Sequence, residues 1–122
     1  MPTELSISVV DDDDSFRLAI VGALRSLGYA VQGYVSGEEF FAANGAQSSD
    51  CVITDLHMGG MSGLELIRLL PAQGSNVPTI IVTARPEPGL EAKAAAAGAI
   101  CLLAKPFDTD ALIGCIRKAL KI

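Results

Sequence analysis

The chain has 122 residues, 50% of them hydrophobic, no Trp and a net charge of −5, which fits one domain with an aliphatic core and excludes a disordered tail. The acidity is largely one run, Asp11 to Asp14; outside it acids and bases nearly balance, and no basic stretch is present to neutralise phosphates, so direct nucleic-acid binding is not expected. MPTELS lacks the basic region of a signal peptide and no apolar stretch approaches the ~20 residues that span a bilayer, so a cytoplasmic location without membrane contact is expected.

LSISVV (Leu5 to Val10) is rich in β-branched residues and predicts a first strand that stops at the aspartates. Phe16, Ile20, Ala23, Leu24 and Leu27 then recur at helical spacing, and Gly28 is a good terminator. YAVQGY (Tyr29 to Tyr34) alternates weakly, as an edge strand does. Ser36 and Glu39 are spaced as a capping box, with Val35 and Phe40 placed as a hydrophobic staple, for a short second helix. CVITD (Cys51 to Asp55) is a third strand. Ser62 and Glu65 make another capping box, opening a third helix at GLELIRLL. Pro78 leads into TIIVTA, a fourth strand whose composition buries both faces. GLEAKAAAAG is a fourth helix closed by Gly98, and AICLLA a fifth strand. DTDALIGCIRKALKI is the last helix, capped by Asp108, with Arg117, Lys118 and Lys121 near its C-terminal end, where the dipole favours cations.

This alternation predicts an α/β fold: a doubly wound parallel sheet with right-handed crossovers, in a single domain over residues 1–122. Ligands of such sheets bind outside the carboxyl ends of the strands. At those ends stand Asp11 and Asp12 after strand one, Asp55 after strand three, Thr83 after strand four, and Lys105 followed by Pro106 after strand five. Clustered carboxylates repel and call for a cation; hard oxygen ligands without His or Cys suit Mg²⁺. A carboxylate beside Mg²⁺ is also a nucleophile toward phosphorus, and a Lys and a Thr hydroxyl on the same rim suit phosphoryl oxygens. Asp14 reads as an N-cap or first-turn acid of the first helix; Asp13 is open between that role and the metal site. Cys51, Cys101 and Cys115 read as buried or half-buried small hydrophobes in a reducing compartment.

The segments VVDDD, VITDLHMGGMSG, TIIVTAR and AKPF occur in register from about residue 5 to residue 120. Together they resemble the receiver domain of a two-component response regulator, and the loop after Asp55 is most similar to receivers of nitrogen-fixation and quorum-type regulators. The resemblance implies a flavodoxin-like (βα)5 fold with strand order 2-1-3-4-5. It implies a phosphorylation-activated switch rather than an enzyme, with only self-phosphorylation and autodephosphorylation. Asp55 would be the phosphoacceptor. Asp11, Asp12, Asp55 and the backbone carbonyl of His57 would hold Mg²⁺. Thr83 would be the switch hydroxyl, Lys105 would pair with phosphoryl oxygens, and Pro106 would follow a cis peptide bond. The implied partners are a sensor histidine kinase or phosphotransfer protein, and an output domain or second copy on the face of the fourth helix, fifth strand and last helix.

Two positions depart from the family pattern. Gly59 stands where Pro is usual, followed by Gly60, which predicts a looser loop. Leu102 occupies the position of the aromatic switch residue, so coupling of Thr83 to a ring is not expected, and the loop ARPEPG, stiffened by two prolines, takes more weight. Other readings stay open: a Mg²⁺-dependent phosphohydrolase with the same nucleophile, or a degenerate receiver that binds partners without phosphorylation. His57, the one histidine, reads as solvent-exposed, and Arg85 as a surface charge or a modulator of dephosphorylation. Ala94 to Ala97, Cys101 and Leu103 read as an apolar strip, mostly packed on the sheet and in part a partner surface.

Overall fold

The computed structural model describes residues 5–122. Five parallel strands form one sheet in the order β2-β1-β3-β4-β5: β1 Ser6–Val10, β2 Ala30–Tyr34, β3 Cys51–Asp55, β4 Thr79–Thr83 and β5 Cys101–Ala104. The helices are α1 Asp14–Ser26, α2 Gly37–Ala42, α3 Gly45–Ser48, α4 Gly63–Leu69, α5 Leu90–Ala97 and α6 Thr109–Leu120. The fold and strand order are those expected from the sequence. The fourth and last helices expected there are α5 and α6, because the short α3 was not anticipated.

Strand alternation divides the core between two faces. Ile7 and Val9 of β1, Cys51 and Ile53 of β3, and Ile80 and Val82 of β4 pack with Val21 and Leu24 of α1 and with Leu112, Cys115 and Ile116 of α6. On the other face Val10 and Val52 meet Phe40 of α2 and Leu66 of α4, while Ile81 meets Ile67 of α4 and Leu90 and Ala94 of α5. β3 and β4 are buried along their whole length, as strands covered on both faces must be. The three cysteines are free thiols; Cys51 and Cys115 are buried and Cys101 half-buried. Burial, first of all, pushes the Cys51 and Cys115 thiols up to about 12, which keeps both protonated and poorly nucleophilic.

The helix starts follow local chemistry, with corrections to the sequence reading. Ser62 accepts from Glu65 N–H and Glu65 returns a bond to Ser62 N–H, a complete capping box on α4. At α2 only the forward half forms: Ser36 Oγ accepts from Glu39 N–H at 3.0 Å. Phe40 is fully buried there and packs edge-on to Tyr34 and Phe41, while Val35 is 43% exposed. The apolar strip also divides: Cys101 and Leu103 join the cluster beneath α1 and α6, while Ala94 and Ala97 pack around α5 with Leu102. A period of two sends neighbouring strand residues to opposite faces.

Candidate functional site

β1 lies between β2 and β3, so the chain direction across the sheet reverses there, and the crevice at that point opens beyond the ends of β1 and β3. Backbone pairing fixes the residues that rim it. Asp11 N–H donates to Tyr34 carbonyl at 3.0 Å, and Lys105 N–H to Thr83 carbonyl at 2.7 Å. Asp55 is the last residue of β3, opposite Val82. Asp11, Asp55 and Lys105 therefore leave from backbone held by the sheet.

The structure gathers the acids. One carboxylate oxygen each from Asp11, Asp12 and Asp55 lies within 4.8 Å of the others. Asp11 and Asp55 are buried, at 1% and 7% exposure, and Asp12 is exposed. Lys105 Nζ donates to Asp11 Oδ2 at 3.0 Å and stands 3.4 Å from Asp55 Oδ1. Burial lifts the Asp55 carboxyl above its ordinary value, the negative charge of Asp11 adds to this, and Lys105 opposes it. Burial alone would lower the Lys105 ammonium, but the hydrogen bond and charge of Asp11, then Asp55, outweigh it and hold the ammonium above its ordinary value. Octahedral ligands of Mg²⁺ stand roughly 3–4 Å apart. A set of three oxygens within 4.8 Å fits that ion after a small closure, and no sulfur or nitrogen donor competes within the set.

The remaining positions occupy distinct places. Thr83 is fully buried, and its hydroxyl accepts Arg85 N–H at 3.0 Å. Asp12, Asp55, His57, Arg85 and Lys105 line one open cleft of about 400 Å³, with the His57 and Arg85 residues exposed. The Lys105–Pro106 peptide is cis. Leu102, half-buried, lines a separate cavity of about 320 Å³ with Thr83 and the loop Pro86–Leu90. Asp13 is resolved as the N-cap of α1: its side chain accepts Phe16 N–H at 3.1 Å, while Asp11 Oδ1 accepts Asp13 N–H at 2.9 Å. Such a cap stabilises by about 1 kcal/mol. Asp14 opens the first turn and pairs with Arg17 at 2.6 Å.

Two contributors were missed in the sequence. Arg17 Nη1 donates to the Asp11 carbonyl at 2.8 Å and braces the turn that carries the acids. The i,i+3 spacing of Asp14 and Arg17 was the available signal. Phe16 lies with its ring centroid 3.9 Å from Lys105 Nζ, a long-range contact with no local signature.

The family model for the response regulator receiver domain matches residues 7–117. The chain belongs to that family. It is 38% identical over 120 residues to the transcriptional regulatory protein FixJ of Azorhizobium caulinodans, covering 98% of this chain and 57% of that protein. It is 36% identical to the response regulator protein TmoT of Ectopseudomonas mendocina, covering 98% of this chain and 54% of that one. The receiver thus spans somewhat over half the length of these curated relatives. FixJ regulators stand among its relatives, in line with the subgroup suggested by the loop after Asp55. Among solved structures, the response regulator receiver protein from Burkholderia phymatum aligns with a TM-score of 0.84 at 40% identity, covering 98% of this chain and 97% of that one. The crystal structure titled FixJ-N aligns with a TM-score of 0.87 at 31% identity, covering 98% and 96%. Receivers of this family are signalling switches, not classical enzymes; they typically take Mg²⁺ at an acidic pocket and interact with histidine kinases and output domains. No helix among the described residues is long and apolar enough to cross a membrane.

Proposed function

We propose that Asp55 accepts a phosphoryl group from the phosphohistidine of a partner kinase or phosphotransfer protein. The observation that carries this reading is the meeting of three carboxylates with one ammonium, Lys105 Nζ lying 3.0 Å from Asp11 and 3.4 Å from Asp55. A carboxylate oxygen of Asp55 attacks phosphorus; the P–O bond forms as the P–N bond to imidazole breaks, and the electron pair leaves with the ring nitrogen. Asp11, Asp12, Asp55 and the His57 carbonyl would hold Mg²⁺, which supplies positive charge to the phosphoryl oxygens when bound. Lys105 adds a second positive charge from the β5 side of the cleft. Its ammonium exchanges carboxylate partners for phosphoryl oxygens, a small movement because it already bridges Asp11 and Asp55.

Thr83 carries the response outward. Its hydroxyl already accepts Arg85 N–H, so a proton remains to donate toward a phosphoryl oxygen. Movement of that hydroxyl pulls on the loop from Ala84 to Gly89, which leads directly into α5. With Leu102 in the neighbouring cavity, the backbone of this loop transmits the shift in place of an aromatic rotamer. The face formed by α5, β5 and α6 would then present an altered surface to an output domain or a second copy of the chain. Residues 1–122 act in this reading as a single cytoplasmic receiver domain.

Incubation with Mg²⁺ and acetyl phosphate should label the parent protein, and Asp55→Asn should abolish the label. Equal labelling of the variant would overturn the assignment. Sustained turnover of phosphomonoesters would instead favour the phosphohydrolase reading. Unchanged spectra on addition of Mg²⁺ and a beryllofluoride phosphoryl mimic would favour a phosphorylation-independent binding module.

A further inference from the structure

We infer that Phe16 is a positioning residue for Lys105, an aromatic platform that holds the ammonium at the mouth of the carboxylate cluster. Lys105 Nζ lies 3.9 Å from the Phe16 ring centroid, within cation–π range. The same ammonium bonds Asp11 at 3.0 Å and approaches Asp55 at 3.4 Å. It is therefore held between carboxylates on one side and an aromatic face on the other. The lysine side chain is only 16% exposed, so the ring stands in for part of its water shell.

The ring is itself fixed. Phe16 N–H is capped by Asp13 at 3.1 Å, which anchors the first turn of α1. Its ring meets Phe107 edge-to-face, with centroids 5.9 Å apart and planes at 82°. That arrangement suits the ring quadrupole and limits rocking of Phe16. Phe107 follows Lys105 by two residues, so the pair ties the start of α1 to the segment that leaves β5.

An aromatic face is well matched to this task. Lysine is a point charge on a flexible stem of four carbons and needs placement. A third carboxylate would place it but would also compete for its N–H groups. The π face attracts the charge and takes up no strong acceptor geometry, so the N–H donors stay directed at Asp11, Asp55 and any oxygens bound between them. The consequence for phosphoryl transfer rests on the reading of Asp55 given above; the ring contact does not.

The test uses the full chain with ¹³C-labelled lysine, followed by NMR. In the parent, the ε-methylene protons of Lys105 should be displaced upfield by the Phe16 ring current. Phe16→Leu should return them to ordinary lysine positions, and Phe16→Tyr should retain the displacement. Initial labelling by acetyl phosphate with Mg²⁺ should fall about five-fold in Phe16→Leu and stay within about two-fold in Phe16→Tyr, the scale of one cation–π contact. Lys105 protons at ordinary positions in the parent would overturn the platform whatever the labelling shows. Equal loss of rate in the Tyr and Leu variants would also overturn it, since packing volume rather than the π face would then be responsible. A parent that shows the displacement but takes no label overturns the phosphoacceptor reading and leaves the platform standing.

Discussion

The ends of the strands and the loops that follow them differ sharply in burial. Asp11, Asp55 and Thr83 are buried and tied to sheet backbone. His57, Gly59 and Gly60, and the stretch 84–89, are exposed. The sheet thus holds mutually repelling carboxylates in place, a costly arrangement that only a rigid frame with a counter-charge maintains. The loops are exposed and carry little of that cost. A switch needs both: a fixed centre that receives charge, and mobile backbone that reports it.

Substitutions on the two sides test this contrast. Lys105→Ala removes the one cation that lies between Asp11 and Asp55 among the described residues. Stability of the magnesium-free protein should fall by about 3 kcal/mol, as when one partner of a buried pair is deleted. Urea unfolding with and without Mg²⁺ checks this, and Mg²⁺ should restore part of the loss. Gly63→Ala comes next, at about 2 kcal/mol. A Cβ at Gly63 would stand 2.6 Å from the Asp55 carbonyl oxygen, so the loop would have to push on the end of β3.

Asp55→Asn should move stability the other way, raising it slightly at neutral pH in magnesium-free buffer. Burial and Asp11 raise the folded pKa of Asp55 above its unfolded value. The folded state then binds this proton more tightly than the unfolded one, so its charged form lowers stability at neutral pH. The lost stability returns as pH falls through the raised value. The Asn variant should lack this contribution to the slope of melting temperature against pH; an unchanged slope would refute it. Gly59→Ala should shift the melting temperature least, within about 0.5 kcal/mol. Nothing lies within 4 Å of a Cβ there, and Gly59 is not among the glycines with positive φ. A large loss would mean that this loop is not the compliant side of the pair.

The sheet and the rim were legible because they rest on local rules. β-branched runs and helical periodicity gave five strands and their crossovers, and the rule for strand ends placed Asp11, Asp12, Asp55 and Lys105 together, while Thr83, expected beside them, lines the neighbouring cavity with Leu102. What escaped depended on details that sequence patterns do not encode. Four identical aspartates gave no sign of which one caps α1; that follows from β1 stopping at Val10 and α1 starting at Asp14. The four residues of α3 are too few for periodicity to show. The return bond at Ser36 fails although the Ser–Glu spacing matches the complete box at Ser62. Cys101 and Leu103 share an apolar strip with the alanines of α5 in the sequence, but strand parity turns both to the opposite face of the sheet. In the sequence Phe16 reads only as a helical apolar residue, since its contact with Lys105 spans most of the chain.

The Asp11–Lys105 contact has a consequence for how the domain is made. Because the protein brings its own counterion, the acidic mouth does not have to wait for a metal before the sheet can close. On the proposed reading, assembly and loading become separate events: Lys105 lets the sheet close around Asp11 and Asp55, and a chelator should remove bound Mg²⁺ without unfolding the domain. On the same reading Lys105 is a placeholder, and a cation or phosphoryl group entering the cleft would draw it away from Asp11.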